Sequence, residues 1–325
     1  MGLNATLKTL DPHAEGLLVL DDEDVNQIHE VLLDMVRDIA EICEANQIEW
    51  SLSGGSILGA VRHKGFIPWD DDIDINMTRK NFERFRAVFP GKYQGKYDLK
   101  IPGDPGYLFH FPKIFKKDTK FREILSKEDG FNGLYVDIFI MENTPDNALL
   151  RGLHGLACTA LLLILSARRV WECRDTFVKY SRKNPGLRKE LKRRLFLGGC
   201  FRFFSMERWL RIASRCFSRV KNETTKHIVI PSGGAHYFGE IFERDKVCNF
   251  VSVPFETEQW PVPADTSYYL SKRYGEDYMT PPPKEKQEKH TLIEFDLGRK
   301  ESHGPHQQTC VMRRKEGADE SEKSI

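Results

Sequence analysis

No C-x-x-C pair occurs among the seven cysteines, Cys43, Cys158, Cys173, Cys200, Cys216, Cys248 and Cys310. A zinc finger needs closely spaced ligand pairs, so that class is set aside. An odd number of scattered thiols in a long chain suits a reducing compartment. Neither sign of charge dominates either, since 49 Lys and Arg stand against 48 Asp and Glu. A dedicated nucleic-acid binder carries a basic excess, so no nucleic-acid partner is expected. There is no internal repeat. Met1–Asp11 has neither the charged start nor the long apolar core of a signal peptide. The match of Gly2 and Thr6 to a myristoylation pattern is too short to carry weight. A cytoplasmic protein is expected, with the inner face of a membrane as the alternative address. The most apolar run, Gly152–Ala167, is interrupted by His154 and closed by Arg168 and Arg169. It falls short of the ~20 residues of a membrane span, and reads as a buried or partly buried helix. A helix lying in a membrane interface is the intermediate case.

What is present is a chain of 325 residues, long enough for one large domain or two small ones. Val25, Ile28, Leu32, Met35, Val36, Ile39 and Ile42 recur at helical steps, which predicts a helix over Asp24–Ala45. Ile48–Leu52 reads as a strand, Ser53–Ser56 as a tight turn and Ile57–Arg62 as a short helix. Asp72–Met77 alternates like a strand. Thr78 is placed to cap the next helix, which Phe82, Phe85 and Phe89 stripe. Strands are expected at Tyr97–Ile101, Tyr107–Phe115, Gly133–Ile140, Ile228–Ile230 and Asn249–Phe255, and a helix at Asp265–Tyr274. Between Asp146 and about Val220 the pattern is helical and basic, and the polar tail after Arg299 is expected to be disordered.

Four of the five residues from Asp70 to Asp74 are aspartates inside an otherwise apolar run, Gly65–Asn76. Such crowding of like charge needs a compensating partner. On a strand, Asp72, Asp74 and Asn76 share one face while Ile73, Ile75 and Met77 enter the core. Two carboxylates so spaced can share a divalent cation, and Mg2+ (or Mn2+) suits a few carboxylates plus phosphate oxygens. Asp137 in Tyr135–Phe139 is a lone acid amid apolar residues, a natural third metal ligand or base. Gly54, Gly55 and Ser56 between a strand and a helix form a phosphate cradle. An EF-hand reading fails because no Gly and Glu stand at the required positions.

The stretch SLSGGSILGAVRHKGFIPWDDDIDI, Ser51–Ile75, resembles the signature of the LicD family, which includes bacterial phosphocholine transferases and is similar to fukutin and fukutin-related protein. Tyr135–Phe139 matches the strand of the third acid. YLSKRYGEDYMTPPP from Tyr269, with His290 beyond it, resembles the closing motif. The resemblance runs from about Val25 to His290 and leaves Asp146–Asn222 unmatched. It implies an α+β, nucleotidyltransferase-like fold: a mixed sheet bearing the acids, flanked by helices, with a helical insertion. The corresponding division is a catalytic core over 1–145, a basic helical insertion over 146–222, the C-terminal part of the LicD-like domain over 223–298 and a tail over 299–325.

The resemblance further implies transfer of a phospho-alcohol, such as phosphocholine, from a CDP-linked donor to a sugar hydroxyl, with CMP released. The acceptor would be a glycan of the lipopolysaccharide or teichoic acid kind, lipid-linked in the version that brings residues 150–215 against a membrane. Asp72, Asp74 and Asp137 are expected to be catalytic and to hold the metal. Gly54, Gly55, Ser56, Arg62, His63, Lys64, Asp70 and Arg273 are expected to bind substrate. Trp50, Trp69, Tyr107, Phe109 and Phe111 are available for a choline cage. Fukutin-type relatives carry a zinc site; no matching cysteine cluster is visible here, so zinc is not carried over. An NTP-using nucleotidyltransferase and an inactive glycan-binding relative are the competing readings.

Overall fold

The computed structural model describes residues 17–181, 185–283, 287 and 292–298. The expectations for Gly2, Thr6, His290 and the tail from 299 lie outside these. The first helix, α1 (Asp22–Ala45), begins two residues before the expected start at Asp24 because Asp21 and Asp24 cap it reciprocally. Its buried stripe runs from Val25 to Cys43 and backs the sheet. The chain then forms β1 (Ser51–Leu52), α2 (Gly54–His63) and β2 (Asp74–Thr78). Next come α3 (Arg79–Tyr93), β3 (Tyr97–Lys100), β4 (Lys113–Lys116), β5 (Lys120–Glu123) and β6 (Tyr135–Asn143). Thr78 caps α3 as expected, accepting from Asn81 N, and Phe82, Phe85 and Phe89 are buried.

A run of helices follows: α4 (Ala148–Glu172), α5 (Arg174–Ser181), α6 (Pro185–Cys200) and α7 (Met206–Phe217). They build a second core around Cys158, Leu162, Leu165, Leu210 and Phe217. The chain returns through β7 (His227–Val229), α8 (His236–Gly239), β8 (Ile241–Glu243) and α9 (Arg244–Val247). It ends in β9 (Phe250–Phe255), β10 (Glu258–Pro263), α10 (Thr266–Tyr274) and β11 (Leu292–Asp296). The main sheet has the order β1-β2-β6-β4-β3, with β7 on β6 and β8 on β7. Only β2 and β6 run parallel within it, so the sheet is mixed and the fold α+β.

Several expected bounds shift for tertiary reasons. The first strand shrinks to two residues because only Ser51 and Leu52 find partners on β2. The glycines expected to form a turn are instead the first turn of α2. Asp72 and Ile73 precede β2 rather than belonging to it. The segment Tyr107–Pro112, expected as strand, is irregular and is pinned by Tyr107 Oη donating to Phe111 O; pairing begins at Lys113. The strands β5 and β10 were not anticipated, since each is defined by a partner, β11 and β9 respectively. The apolar helix α4 is neither wholly buried nor wholly free. His154, Cys158, Leu162 and Leu165 face inward, while Leu149, Leu156 and Leu163 are 72%, 62% and 66% exposed along one stripe. By length and composition α4 is also long and apolar enough to cross a membrane.

Candidate active site

The site is built on three neighbouring strands. Asp74 on β2 is in register with Asp137 on the parallel strand β6, and Asp137 is opposite Lys113 on β4. Lys113 Nζ lies 2.8 Å from Asp137 Oδ1, with both side chains almost fully buried. Asp72 reaches the same place from just before β2, where Asp137 N donates to Ile73 O. The carboxylates feel one another. Burial pushes Asp74 well above the usual carboxylate range, and Asp72, Asp137 and Asp70 push it further. Burial also raises Asp137, to about 6, against the opposing pull of Lys113.

Several acids converge around one buried ammonium, which itself sits over the faces of Tyr135, Phe109 and Phe111. Hard oxygen donors of this kind could hold a divalent ion such as Mg2+. Asp72, Asp74 and Asp137 would hold it.

The N-terminal turn of α2 closes the other side. Gly54 has φ +47°, and a Cβ placed there would lie 3.2 Å from Asp74 Oδ2 and 3.7 Å from Tyr274 Oη. A Cβ on Gly55 would lie 3.1 Å from Asp70 Oδ2. The glycines therefore admit the carboxylates close to backbone. The amides of this turn are largely committed: Ser53 N donates to Asp74 O and Gly54 N to Tyr269 Oη. Ser56 Oγ accepts from Asp74 N, so this side chain first serves to position the acid. Asp70 is held by its carbonyl, which accepts from His29 Nε2 at 2.6 Å. Asp71 is buried on the His29 side.

The basic residues divide. Arg62 points along the rim: its Nη1 donates to Tyr278 O, it packs on Trp69, and Asp70 and Tyr274 act on its charge. His63 accepts from Arg62 Nε and meets Trp69 edge-on. Lys64 is exposed, caps the end of α2 in the left-handed region, and its carbonyl takes Glu256 N. Arg273 pairs at 3.3 Å with buried Glu240 instead of facing the acids. Trp50 and Tyr107 belong to the core, and the faces of Phe109 and Phe111 are turned to Lys113. Of the five aromatic candidates, Trp69 remains at the rim.

Sequence reasoning missed Lys113, His29, Tyr269 and Glu256, whose carboxylate accepts from Phe66 N and steadies the loop before the acids. For Lys113 a signal existed: a single lysine in the apolar run FHFPKIF. Tyr269 opens the closing motif but was not singled out within it, and His29 gave no signal, since it looks like an ordinary member of an amphipathic helix.

Residues 47–150 match the family described as LicD/FKTN/FKRP, nucleotidyltransferase domain. The chain is 26% identical over 291 residues to the lipopolysaccharide cholinephosphotransferase LicD of Haemophilus influenzae, a match covering 81% of this chain and 94% of that one. An uncharacterized protein of Rickettsia prowazekii, RP689, is 36% identical over 116 residues, which is 36% of this chain and 41% of that one. The human ribitol 5-phosphate transferase FKRP is 41% identical over 63 residues, 18% of this chain and 13% of its own length. The class these matches define is a phosphotransferase. More narrowly, the similarity is to phosphotransferases of the LicD type, and the matched nucleotidyltransferase domain lies in the segment that carries the acids.

Proposed function

We propose that the enzyme transfers a phospho-alcohol group, phosphocholine-like, from a CDP-linked donor to a sugar hydroxyl of a cell-surface glycan such as lipopolysaccharide, releasing CMP. The observation that carries this reading is the row Asp74–Asp137–Lys113 across three strands, with Asp72 beside it. The substrate class is supported by the name of the Haemophilus influenzae relative, whose match covers 81% of this chain.

In this reading the acceptor oxygen attacks the phosphorus of the phospho-alcohol, the bond to the CMP oxygen breaks, and the acceptor proton passes to Asp137. Burial raises Asp137 to about 6, which suits it to that exchange when it is not itself a ligand of the metal. Lys113 keeps Asp137 oriented and offsets the charge of the cluster. A Mg2+ (or Mn2+) ion held by Asp72, Asp74 and Asp137 would supply positive charge at the donor's phosphates. Gly55 N, which has no protein acceptor among the described residues, and the Ser56 hydroxyl hydrogen are donors available to a phosphate oxygen. Arg62 at the rim is the charged partner for the nucleotide end.

Exposed leucines along α4, with Arg188, Lys189, Lys192 and Arg193 exposed on α6, support a peripheral contact of 150–215 with an anionic membrane carrying a lipid-linked acceptor. Flotation with anionic liposomes tests this part separately; protein remaining at the bottom of the gradient would remove it.

The deciding experiment offers CDP-choline, CDP-ribitol, CDP-glycerol and CTP to the purified enzyme with a sugar-acceptor panel, with and without EDTA. Metal-dependent CMP from one CDP-alcohol is expected. The family description itself favours a second reading, nucleotidyl transfer from an NTP; pyrophosphate from CTP, with no CMP from any CDP-alcohol, would establish that reading instead.

A further inference from the structure

His154, Cys158 and Cys216 are far from the acids in sequence, and nothing in the transfer reaction uses them. Cys158 follows His154 by one helical turn on the buried face of α4, so the two side chains are neighbours. Cys216 comes from α7, which packs on α4. The imidazole nitrogen and the two sulfurs all lie within 4.8 Å of one another. Cys158 Sγ and Cys216 Sγ are 3.8 Å apart.

That spacing is chemically specific. Two thiolates each about 2.3 Å from a tetrahedral zinc ion sit about 3.8 Å apart. The imidazole is also oriented from behind. Its Nε2 lies 2.8 Å from the carbonyl oxygen of Cys216, to which it donates, while its Nδ1 meets Tyr237 Oη at 3.0 Å, and Tyr237 Oη in turn bonds Thr144 Oγ1. Binding a metal would replace the Nε2–H bond to the Cys216 carbonyl and move the proton to Nδ1, from which His154 can donate to the phenol oxygen; a hydrogen-bonded outer partner of this kind accompanies most metal-bound histidines. Gly155 makes the approach possible. A Cβ there would come within 2.7 Å of the Tyr237 ring, pushing the phenol away from His154.

We propose that His154 Nε2, Cys158 Sγ and Cys216 Sγ form a site for a thiophilic divalent ion of the zinc class, clamping α4 to α7. Two sulfurs and an imidazole select such an ion over the hard ions suited to the acid cluster. Three protein ligands leave a fourth position for water. On binding, both thiols lose their protons to solvent and two S–metal bonds and one N–metal bond form, with no change of oxidation state.

The test uses the full chain without a histidine tag, purified anaerobically from zinc-supplemented cells. Elemental analysis is expected to find about one zinc per chain. The stripped protein, titrated with Co2+, is expected to show thiolate-to-metal charge-transfer absorption, which the acid cluster cannot produce. Cys158→Ser, Cys216→Ser and His154→Gln should each lower the bound metal at least about tenfold. Cys200→Ser, an exposed cysteine at the end of α6, should leave it unchanged. Tyr237→Phe should weaken Co2+ binding about tenfold while keeping the charge-transfer band.

Should a cysteine variant fail to fold, the wild-type Co2+ spectrum and its reversal by zinc still decide. Wild-type protein with less than about one-tenth equivalent of zinc and no cobalt–thiolate band would overturn the proposal. So would a mass lower by two hydrogens, showing a Cys158–Cys216 disulfide instead.

Discussion

Replacing Lys113 by Met tests whether the buried ammonium is what allows the acids to coexist. Methionine retains most of the stem and can rest against Tyr135, Phe109 and Phe111, so packing is largely kept. What disappears is the partner 2.8 Å from Asp137. At an effective dielectric constant of about 20, the attraction at that distance is about 6 kcal/mol, before desolvation of both groups is charged against it. Breaking one side of a buried pair typically costs about 3–5 kcal/mol, and that is the expected loss of unfolding free energy.

Asp137→Asn should cost less. It removes the attraction but also relieves repulsion with Asp72 and Asp74. The double variant should recover most of the loss, giving a coupling energy of at least about 2 kcal/mol. The assay is urea denaturation of the four proteins in EDTA at pH 7, followed by far-UV circular dichroism. Single-variant losses that add within about 0.5 kcal/mol would refute the reasoning, because independent sites behave that way.

Asp74→Asn should abolish metal-dependent transfer yet raise the denaturation midpoint in EDTA, since it removes the most crowded buried carboxylate; a lower midpoint would contradict the repulsion described. Gly54→Ala, at φ +47° and facing Asp74, should cost about 1–3 kcal/mol and reduce turnover, measured by the same urea titration and by CMP release. His110 sets a pH dependence. Burial and Arg169 push it down to about 3 from an unfolded value of 6.5. The unfolded chain therefore takes up the proton first. This contribution to stability is complete above pH 6.5 and is lost as the pH falls towards 3. His110→Gln should flatten the acid limb of the denaturation midpoint plotted against pH, and an unchanged limb would exclude His110 as its source.

Much of the candidate site was legible in the chain because its parts are local. A glycine pair before a helix, acids two residues apart and a lone acid in an apolar strand all show their chemistry within a few residues. The same holds for the Thr78 cap and the Phe82–Phe85–Phe89 stripe, where helical periodicity alone dictates the burial. The limits appeared where a residue's role depends on its neighbour across the sheet. Lys64 beside the glycines looked like a phosphate partner yet is exposed, and Arg273, expected to help build the pocket, is taken by Glu240.

The sequence by itself therefore determined where the acids cluster: aspartates leading into a strand whose other face must enter the core. Tertiary structure decided what surrounds them. Lys113 meets Asp137 only because β4 pairs with β6 in that register, and a shift of one residue would send the ammonium to the other face of the sheet. Cys158 and Cys216, 58 residues apart and unremarkable as a pair in the chain, become neighbours only because α7 packs on α4. Local spacing encodes which side chains share a face. Which faces meet is settled by pairing and packing between distant segments, and the energy of those contacts is absent from any short stretch of sequence.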